Sequence, residues 1–262
     1  MTPAAGASAA LYDALAPSYE EHFGVPHRQA YDDLAWELVC PLLPAAPGRV
    51  VDVGCGVGRW ARRFVELGHA VVGIEPAPAM AALARQHLAS SRFELVEQVM
   101  EEADLPAGRA DLVLAMGSLQ YADEPERVLP RLARWARPGG AVAVVVDSLV
   151  ALVLELVSAG REAEALERLA TRQGTWVQDG RRADLHLLDA ERLRAAFRGA
   201  GLTGVEVRGL LLGWSCLGRE RTLERLAADR AGHLALERVL GASPVLADLG
   251  KQLYAVGRVA PD

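Results

Sequence analysis

Apolar residues in this chain fall into short unbroken runs, separated by longer stretches in which they recur every three or four positions. That is the pattern of strands alternating with helices. The runs at 49–53, 70–74, 93–97, 111–116 and 141–147 read as strands, and 59–67, 77–89 and 125–136 as the helices between them. Strands joined by helical crossovers of this length build a parallel sheet. Residues 112–115 and 141–146 are apolar at every position, which suits strands covered on both faces. Ahead of this block, residues 1–9 read as disordered, and helical stretches at 10–22 and 27–43 end near Pro44 and Pro47-Gly48. Behind it, Leu149, Leu152, Val153, Leu156 and Val157 mark one helix face, and 161–172 continues as a charged helix. A polar segment at 174–182 leads to 184–188. Asp189 is placed as the N-cap of a helix running to Gly199. A strand at 205–212, a helix at 219–240 and a last strand at 253–259 complete the chain.

The first strand runs into Asp52-Val53-Gly54-Cys55-Gly56-Val57-Gly58, and Arg59 opens a helix. A strand turning this tightly into a helix brings bare backbone and a helix N-terminus up to a ligand. The glycine spacing is not the G-x-G-x-x-G of a dinucleotide site, because the third glycine of that fingerprint would fall at 59, which is Arg.

This segment resembles motif I of the class I S-adenosylmethionine-dependent methyltransferases, and four further motifs follow in order. Val71-Val72-Gly73-Ile74-Glu75-Pro76 is similar to the second strand with its terminal acid. Glu101 to Pro106 is similar to the loop after the third strand. Ala110 to Tyr121 is similar to the fourth strand and its loop, and Leu132 to Gly140 to the helix and turn before the fifth strand. The resemblance implies a Rossmann-like three-layer sandwich with a seven-stranded, mostly parallel sheet whose last strand is antiparallel. It implies one methyltransferase domain over 1–262: lid helices at 10–43, a cofactor-binding half at 49–148, an inserted helical cap at 149–182, and a C-terminal half at 183–262 with an extra helix at 219–240. The two extra helical regions stand as a lid, a substrate cap or a dimer surface.

The same resemblance implies S-adenosyl-L-methionine as cofactor, S-adenosyl-L-homocysteine as its product, and no metal. Glu75 would take the ribose hydroxyls, since two acceptor oxygens match a vicinal diol. Asp52 would face the amino acid end, with Gly54, Cys55, Gly56 and Gly58 cradling the cofactor through backbone. Glu101 would meet the adenine amino group, with Glu102 contributing mainly its backbone N–H, and Pro76 and Met80 would pack by the ring. Met116, Gly117 and Gln120 belong to the loop after the fourth strand; relatives often carry His where Gln120 stands. The segment from Tyr12 to Tyr19 resembles the family's Y-D-x-x-A-x-x-Y lid, which implies cofactor contacts for both tyrosines. Tyr121 reads either as a substrate contact or as core. A general base, where the acceptor needs one, falls to His27 or His186, with His22 behind them; Asp184 and Arg28 are further substrate contacts.

Composition narrows the acceptor. The chain is 51% hydrophobic and 24% charged, enough to bury a full core over 262 residues, and its net charge of −6 disfavours a nucleic-acid partner. Cys40, Cys55 and Cys216 lack paired or metal-ligand spacing, which points to a reducing, cytoplasmic setting. No secretory leader is recognisable, and the apolar stretch 141–157 is interrupted by Asp147, Ser148 and Glu155, so no membrane partner is expected. After the fourth strand the chain reads Ala115-Met116-Gly117-Ser118, unlike the N/D-P-P-Y of adenine and glutamine amino-methylating relatives, and the Pro-Cys pair of cytosine C5 enzymes is absent. What remains is a small-molecule or peptide-like acceptor methylated on oxygen or nitrogen, handled by a monomer or homodimer. The Ala- and Arg-rich composition is similar to that of high-GC bacteria, whose enzymes of this family often tailor secondary metabolites. The alternatives are a protein or RNA methyltransferase, or a protein of this fold that binds the cofactor without transferring methyl.

Overall fold

The structure, a computed structural model, describes residues 4–19, 21–178 and 180–261, and only the backbone of Ala4, Ala5, Ala7, His22 and Phe23. Helices α1 (Ala4–Leu15) and α2 (Pro26–Val39) lead into β1 (Arg49–Val53), α3 (Arg59–Glu66), β2 (Ala70–Ile74), α4 (Pro78–His87) and β3 (Phe93–Val96). Next come β4 (Ala110–Met116), α5 (Pro125–Trp135), β5 (Ala136–Asp147), α6 (Leu149–Ser158) and α7 (Glu162–Thr171). A hairpin of β6 (Gln173–Gln178) and β7 (Arg181–His186) is followed by α8 (Ala190–Gly199), β8 (Leu202–Leu210), α9 (Gly213–Leu217), α10 (Arg219–Ala228), α11 (Arg230–Gly241) and β9 (Gln252–Val259).

Seven strands form one sheet in the order β3-β2-β1-β4-β5-β9-β8, with β9 antiparallel to both of its neighbours. The continuous apolar runs divide by alternate residues between the two faces. Val51, Val53, Val113, Val142 and Val144 pack with Leu132 and Trp135 of α5 and Phe197 of α8. Their neighbours Val50, Leu112, Leu114 and Val145 pack on the other face with Val39 of α2 and Trp60 and Phe64 of α3. The result is the three-layer sandwich expected from the sequence. A third apolar cluster sits apart from the sheet: Leu11 and Leu15 of α1 meet Leu185 and Leu187, Met80 of α4, and Tyr121. This cluster roofs the carboxyl ends of the central strands.

Several boundaries differ from expectation, each for a physical reason. Residues 4–9 are helical rather than disordered, because Ala-rich sequence has the highest intrinsic helix propensity and α1 is anchored through Leu11 and Leu15. Pro41 ends α2 at Val39, where 27–43 had read as one helix. The region 149–182 is not wholly helical. Polar residues at 173–178 and 181–186 pair as an antiparallel hairpin whose inward side chains alternate with exposed charges, a register that runs past 182. The helix expected at 219–240 is two helices, because Asp229 leaves helical geometry and its carboxylate caps the amide of Gly232 at 2.9 Å.

Candidate active site

The turn at 54–58 is pinned at its start, where the amides of Gly54 and Cys55 both donate to the carbonyl of Ile74 at the end of β2, at 2.7 and 3.0 Å. Gly54, Gly56 and Gly58 have φ of +69°, +56° and +82°, a region that costs little only for glycine. Their surroundings differ. A Cβ on Gly54 would lie 2.3 Å from Ser118 Cβ, and one on Gly58 2.5 Å from Leu88 Cδ1, so those two glycines serve close packing. A Cβ on Gly56 would meet only the ring of Tyr19, at 3.8 Å. The middle glycine is the one that leaves a cradle open between the turn and the N-terminal lid.

Two buried carboxylates flank this turn. Glu75 Oε2 accepts the amide of Gly56 at 2.9 Å and Oε1 accepts that of Ala77 at 2.8 Å. Burial outweighs these bonds and pushes Glu75 up to about 7. Asp52 is 2% exposed and its Oδ2 has no hydrogen-bond partner. Burial raises it to about 7 as well, against the lowering effects of the Ala61 amide and of Arg59. An unpaired buried carboxylate oxygen calls for a donor or a cation. Arg59, standing where a dinucleotide site needs glycine, pairs with Asp32 and so ties α3 to α2.

A cavity of about 410 Å³ opens from this turn. Asp52, Gly54 and Cys55 line it on the turn side, Met116 and Gly117 from the loop after β4, and Ala151, Leu152 and Glu155 from α6. Its lid is aromatic. The Tyr12 ring stands edge-on to Tyr19 at 6.1 Å and to Tyr121 at 5.6 Å, and lies 5.4 Å from Trp176 of β6. Tyr12 Oη and Tyr121 Oη are 3.4 Å apart. Burial raises both phenols above their ordinary range, so they stay protonated. The lid helix is held by Asp13, whose Oδ1 accepts the amide of Ala79 at 2.7 Å in the first turn of α4. Cys55 is buried and its thiol is pushed well up, so it is a packing group rather than a nucleophile.

The structure brings Tyr12, Tyr19, Asp52, Gly54, Cys55, Met116, Gly117, Gln120, Tyr121 and His27 to the one cavity. Arg28, a candidate substrate contact, lines it too, whereas the remaining candidates do not. Glu75 lies behind the turn with its oxygens on backbone amides. Met80 is fully buried in the roof cluster, and Pro76 is half-buried outside the cavity. Glu101 accepts the Asp123 amide at 3.0 Å and keeps its second oxygen buried and unpartnered, whereas Glu102 is exposed. Glu101 thus has an unmet acceptor of the kind an amino group would fill. His186 is on β7 between two cavity-lining leucines, 185 and 187, so strand alternation points it away, and its Nδ1 lies 3.1 Å from Gln173 Nε2. Asp184 is likewise turned out to Thr175 and Arg182. The side chain of His22 is outside the described residues.

His27 lines the cavity with its ring 5.1 Å from Trp214. Burial and the nearby Arg28, Lys251 and Arg219 charges lower it to about 4, so it is neutral at pH 7 and a weak base. Gln120 is committed to Asp147, which sequence reasoning had passed over as the end of a strand. Trp176, Trp214 and Lys251 were also missed, and only Trp176 carried any signal, as an aromatic residue inside an otherwise polar insertion. Among the described residues, no group of three or more His, Cys, Asp or Glu side chains is arranged to hold a metal ion, and no helix is long and apolar enough to cross a membrane.

A seven-stranded sheet in this order, with a glycine turn after β1 and a buried acid after β2, is the Rossmann-like fold of the class I S-adenosylmethionine-dependent methyltransferases. Residues 51–144 match the family described as Methyltransferase domain. The chain is 38% identical over 115 residues to trans-aconitate 2-methyltransferase of Delftia acidovorans, covering 42% of each protein. It is 29% identical over 185 residues to ubiquinone biosynthesis O-methyltransferase of Xanthomonas euvesicatoria pv. vesicatoria, covering 70% of this chain and 74% of that protein. The first of these matches thus spans less than half of its relative's length. Among solved structures, 1,6-didemethyltoxoflavin-N1-methyltransferase of Burkholderia thailandensis superposes with a TM-score of 0.58 at 18% identity, covering 99% of this chain and 91% of that one. The [4+2]-cyclase SpnF superposes with a TM-score of 0.60 at 22% identity, covering 97% and 96%. At such identities these likenesses establish the fold alone.

Proposed function

We propose that the chain transfers a methyl group from S-adenosylmethionine to an oxygen, or a nitrogen, of a small-molecule or peptide-like acceptor. The observation that carries this reading is the cavity of about 410 Å³. It starts at the glycine turn and Asp52 and is roofed by α1, α6 and the β6–β7 hairpin, a volume within the range of small-molecule sites. A roof made from α6 and the hairpin favours an enclosed acceptor over a protein or RNA surface.

The residues fit the cofactor. Asp52 offers an unpaired carboxylate oxygen, Gly56 an open backbone cradle, Glu75 a carboxylate at the end of β2, and Glu101 an unmet acceptor on the loop after β3. The bound sulfonium supplies an already activated methyl group for in-line displacement. The protein's share is then alignment and the exclusion of water, which contribute up to about 7–11 kcal/mol. Tyr12, Tyr19, Tyr121 and Trp176 supply rigid walls for that alignment, and their apolar faces keep water out. His27 is neutral but weakly basic, which favours an acceptor that enters already deprotonated or with a free lone pair.

Calorimetric titration with S-adenosylhomocysteine tests the reading. Binding in the micromolar range is expected, and Glu75→Ala should weaken it at least about tenfold, the loss of one good charge-assisted hydrogen bond. Absence of binding, or tighter binding of a dinucleotide, would sink it. Transfer of labelled methyl to an acceptor separates a methyltransferase from a protein that only holds the cofactor.

A further inference from the structure

The end of the cavity away from the glycine turn has its own chemistry. Lys251 is the only lysine in the chain, every other basic side chain of that length being arginine. It precedes β9 and lines the cavity beside Gln252. Its backbone is fixed on both sides: its amide donates to the carbonyl of Leu211 at 3.4 Å, and its carbonyl accepts the amide of Ser148 at 3.2 Å. Its Nζ lies 4.6 Å from the ring centre of Trp214, which is 6% exposed. A cation over an indole face is attracted by the ring quadrupole and leaves its remaining N–H donors free for another acceptor.

Lys251 makes no ion pair with a carboxylate among the described residues. The nearby acid Glu155 is engaged by the Trp214 indole N–H at 3.3 Å. Two further polar atoms at this end are buried and unpartnered, His27 Nδ1 and Gln252 Oε1. Burial first, and then the charges of Arg28, Lys251 and Arg219, keep the His27 ring neutral there. A half-buried cation with free donors next to a neutral imidazole is an arrangement that one anionic oxygen group completes.

We propose that the acceptor carries an anionic group, a carboxylate or a phosphate, held by Lys251 on the face of Trp214 with His27 beside it. The proposal rests on the small-molecule methyltransferase reading. It assigns Lys251 to the acceptor and not to the cofactor, and it gives the pocket selectivity for acids over their neutral analogues.

The test is calorimetric titration of benzoate, phenyl phosphate and benzamide into protein saturated with S-adenosylhomocysteine, for the wild type, Lys251→Met and Lys251→Arg. The wild type is expected to bind at least one of the two anions about tenfold or more tightly than benzamide, the size of one charge-assisted hydrogen bond. The preferred anion identifies the group as carboxylate or phosphate. Lys251→Met should abolish the preference and leave benzamide and S-adenosylhomocysteine affinities unchanged, and Lys251→Arg should retain most of it. Equal binding of benzamide and the anions, an anion preference that survives Lys251→Met, or no anion binding at all would overturn the proposal. So would loss of S-adenosylhomocysteine affinity in Lys251→Met, because the lysine would then belong to the cofactor's own carboxylate. Failure of the wild type to bind S-adenosylhomocysteine strikes the methyltransferase reading instead. The same anion titrations on the protein alone then still decide the role of Lys251.

Discussion

Gln120 and Asp147 hold each other by two hydrogen bonds. The Gln120 amide Nε2 donates to Asp147 Oδ2 at 3.0 Å, and Gln120 Oε1 accepts the backbone amide of Asp147 at 2.7 Å. The pair joins the loop after β4 to the end of β5 across the cavity floor, and Gln120 is 4% exposed. Gln120→Leu keeps the volume and leaves both Asp147 groups unpaired. It should cost about 1–3 kcal/mol in urea denaturation and reduce methyl transfer. A change under about 0.5 kcal/mol would mean that Asp147 finds water or another donor in place of the amide.

Asp52 and Glu75 make stability depend on pH with a definite sign. Both titrate near 7 in the folded chain, above their ordinary values of 3.8 and 4.5. Between those limits the folded state holds more protons than the unfolded one, so their contribution is greatest below about pH 4 and is lost as pH rises through 7. Asp52→Asn should therefore raise Tm more at pH 8 than at pH 5, as read by thermal denaturation at the two values. An equal shift at both would show that Asp52 is not held protonated.

Cofactor affinity should run the other way with pH. The ionised carboxylates are the better acceptors for hydroxyl and ammonium donors, so S-adenosylhomocysteine should bind more weakly as pH falls from 8 to 6. Calorimetry in two buffers of different ionisation enthalpy should register proton release on binding below pH 7. A pH-independent affinity would remove both acids from the cofactor site.

Asp13 caps a helix other than its own. Asp13→Ala leaves the Ala79 amide without its partner and detaches α1 from α4 at a cost of about 1 kcal/mol, typical of a lost cap. Faster amide exchange is expected across 4–15, with little change in the sheet. Uniform acceleration through the whole chain would contradict a lid held locally.

Glu237 holds the turn that presents Trp214. Its oxygens each accept one buried amide, those of Leu212 and Gly213, both at 2.7 Å, next to Leu211 at φ +56°. Glu237→Ala should cost about 2–4 kcal/mol by stranding both amides. It should also release Trp214, measurable as a shift in tryptophan fluorescence.

The alternation of apolar runs and helical stretches was enough to read the succession of strands and helices through β5 and a parallel sheet, because each strand's burial on two faces is written locally in its own residues. The glycine turn, Asp52 at the end of β1 and Glu75 just after β2 were legible for the same reason: they are short segments in which backbone conformation and ligand chemistry are set by neighbours in sequence. The hairpin at 173–186 was not legible, since its residues are polar and gain their order from antiparallel pairing and from Leu185 and Leu187 meeting Leu11 and Leu15.

The end of the cavity at Lys251 and Trp214 was decided only by tertiary structure. Tyr12 comes from α1, Trp176 from β6 of the insertion, Trp214 from α9, and Lys251 from the residue before β9. No spacing relates them, and each alone reads as an ordinary aromatic or charged residue. They become a site because β9 inserts between β5 and β8, which sets Lys251 and Trp214 beside Asp147 and Ser148, and because α1 folds back over the hairpin. Local patterning determined the glycine turn and the acids that flank it, and long-range packing determined the shape and charge of the cavity beside them.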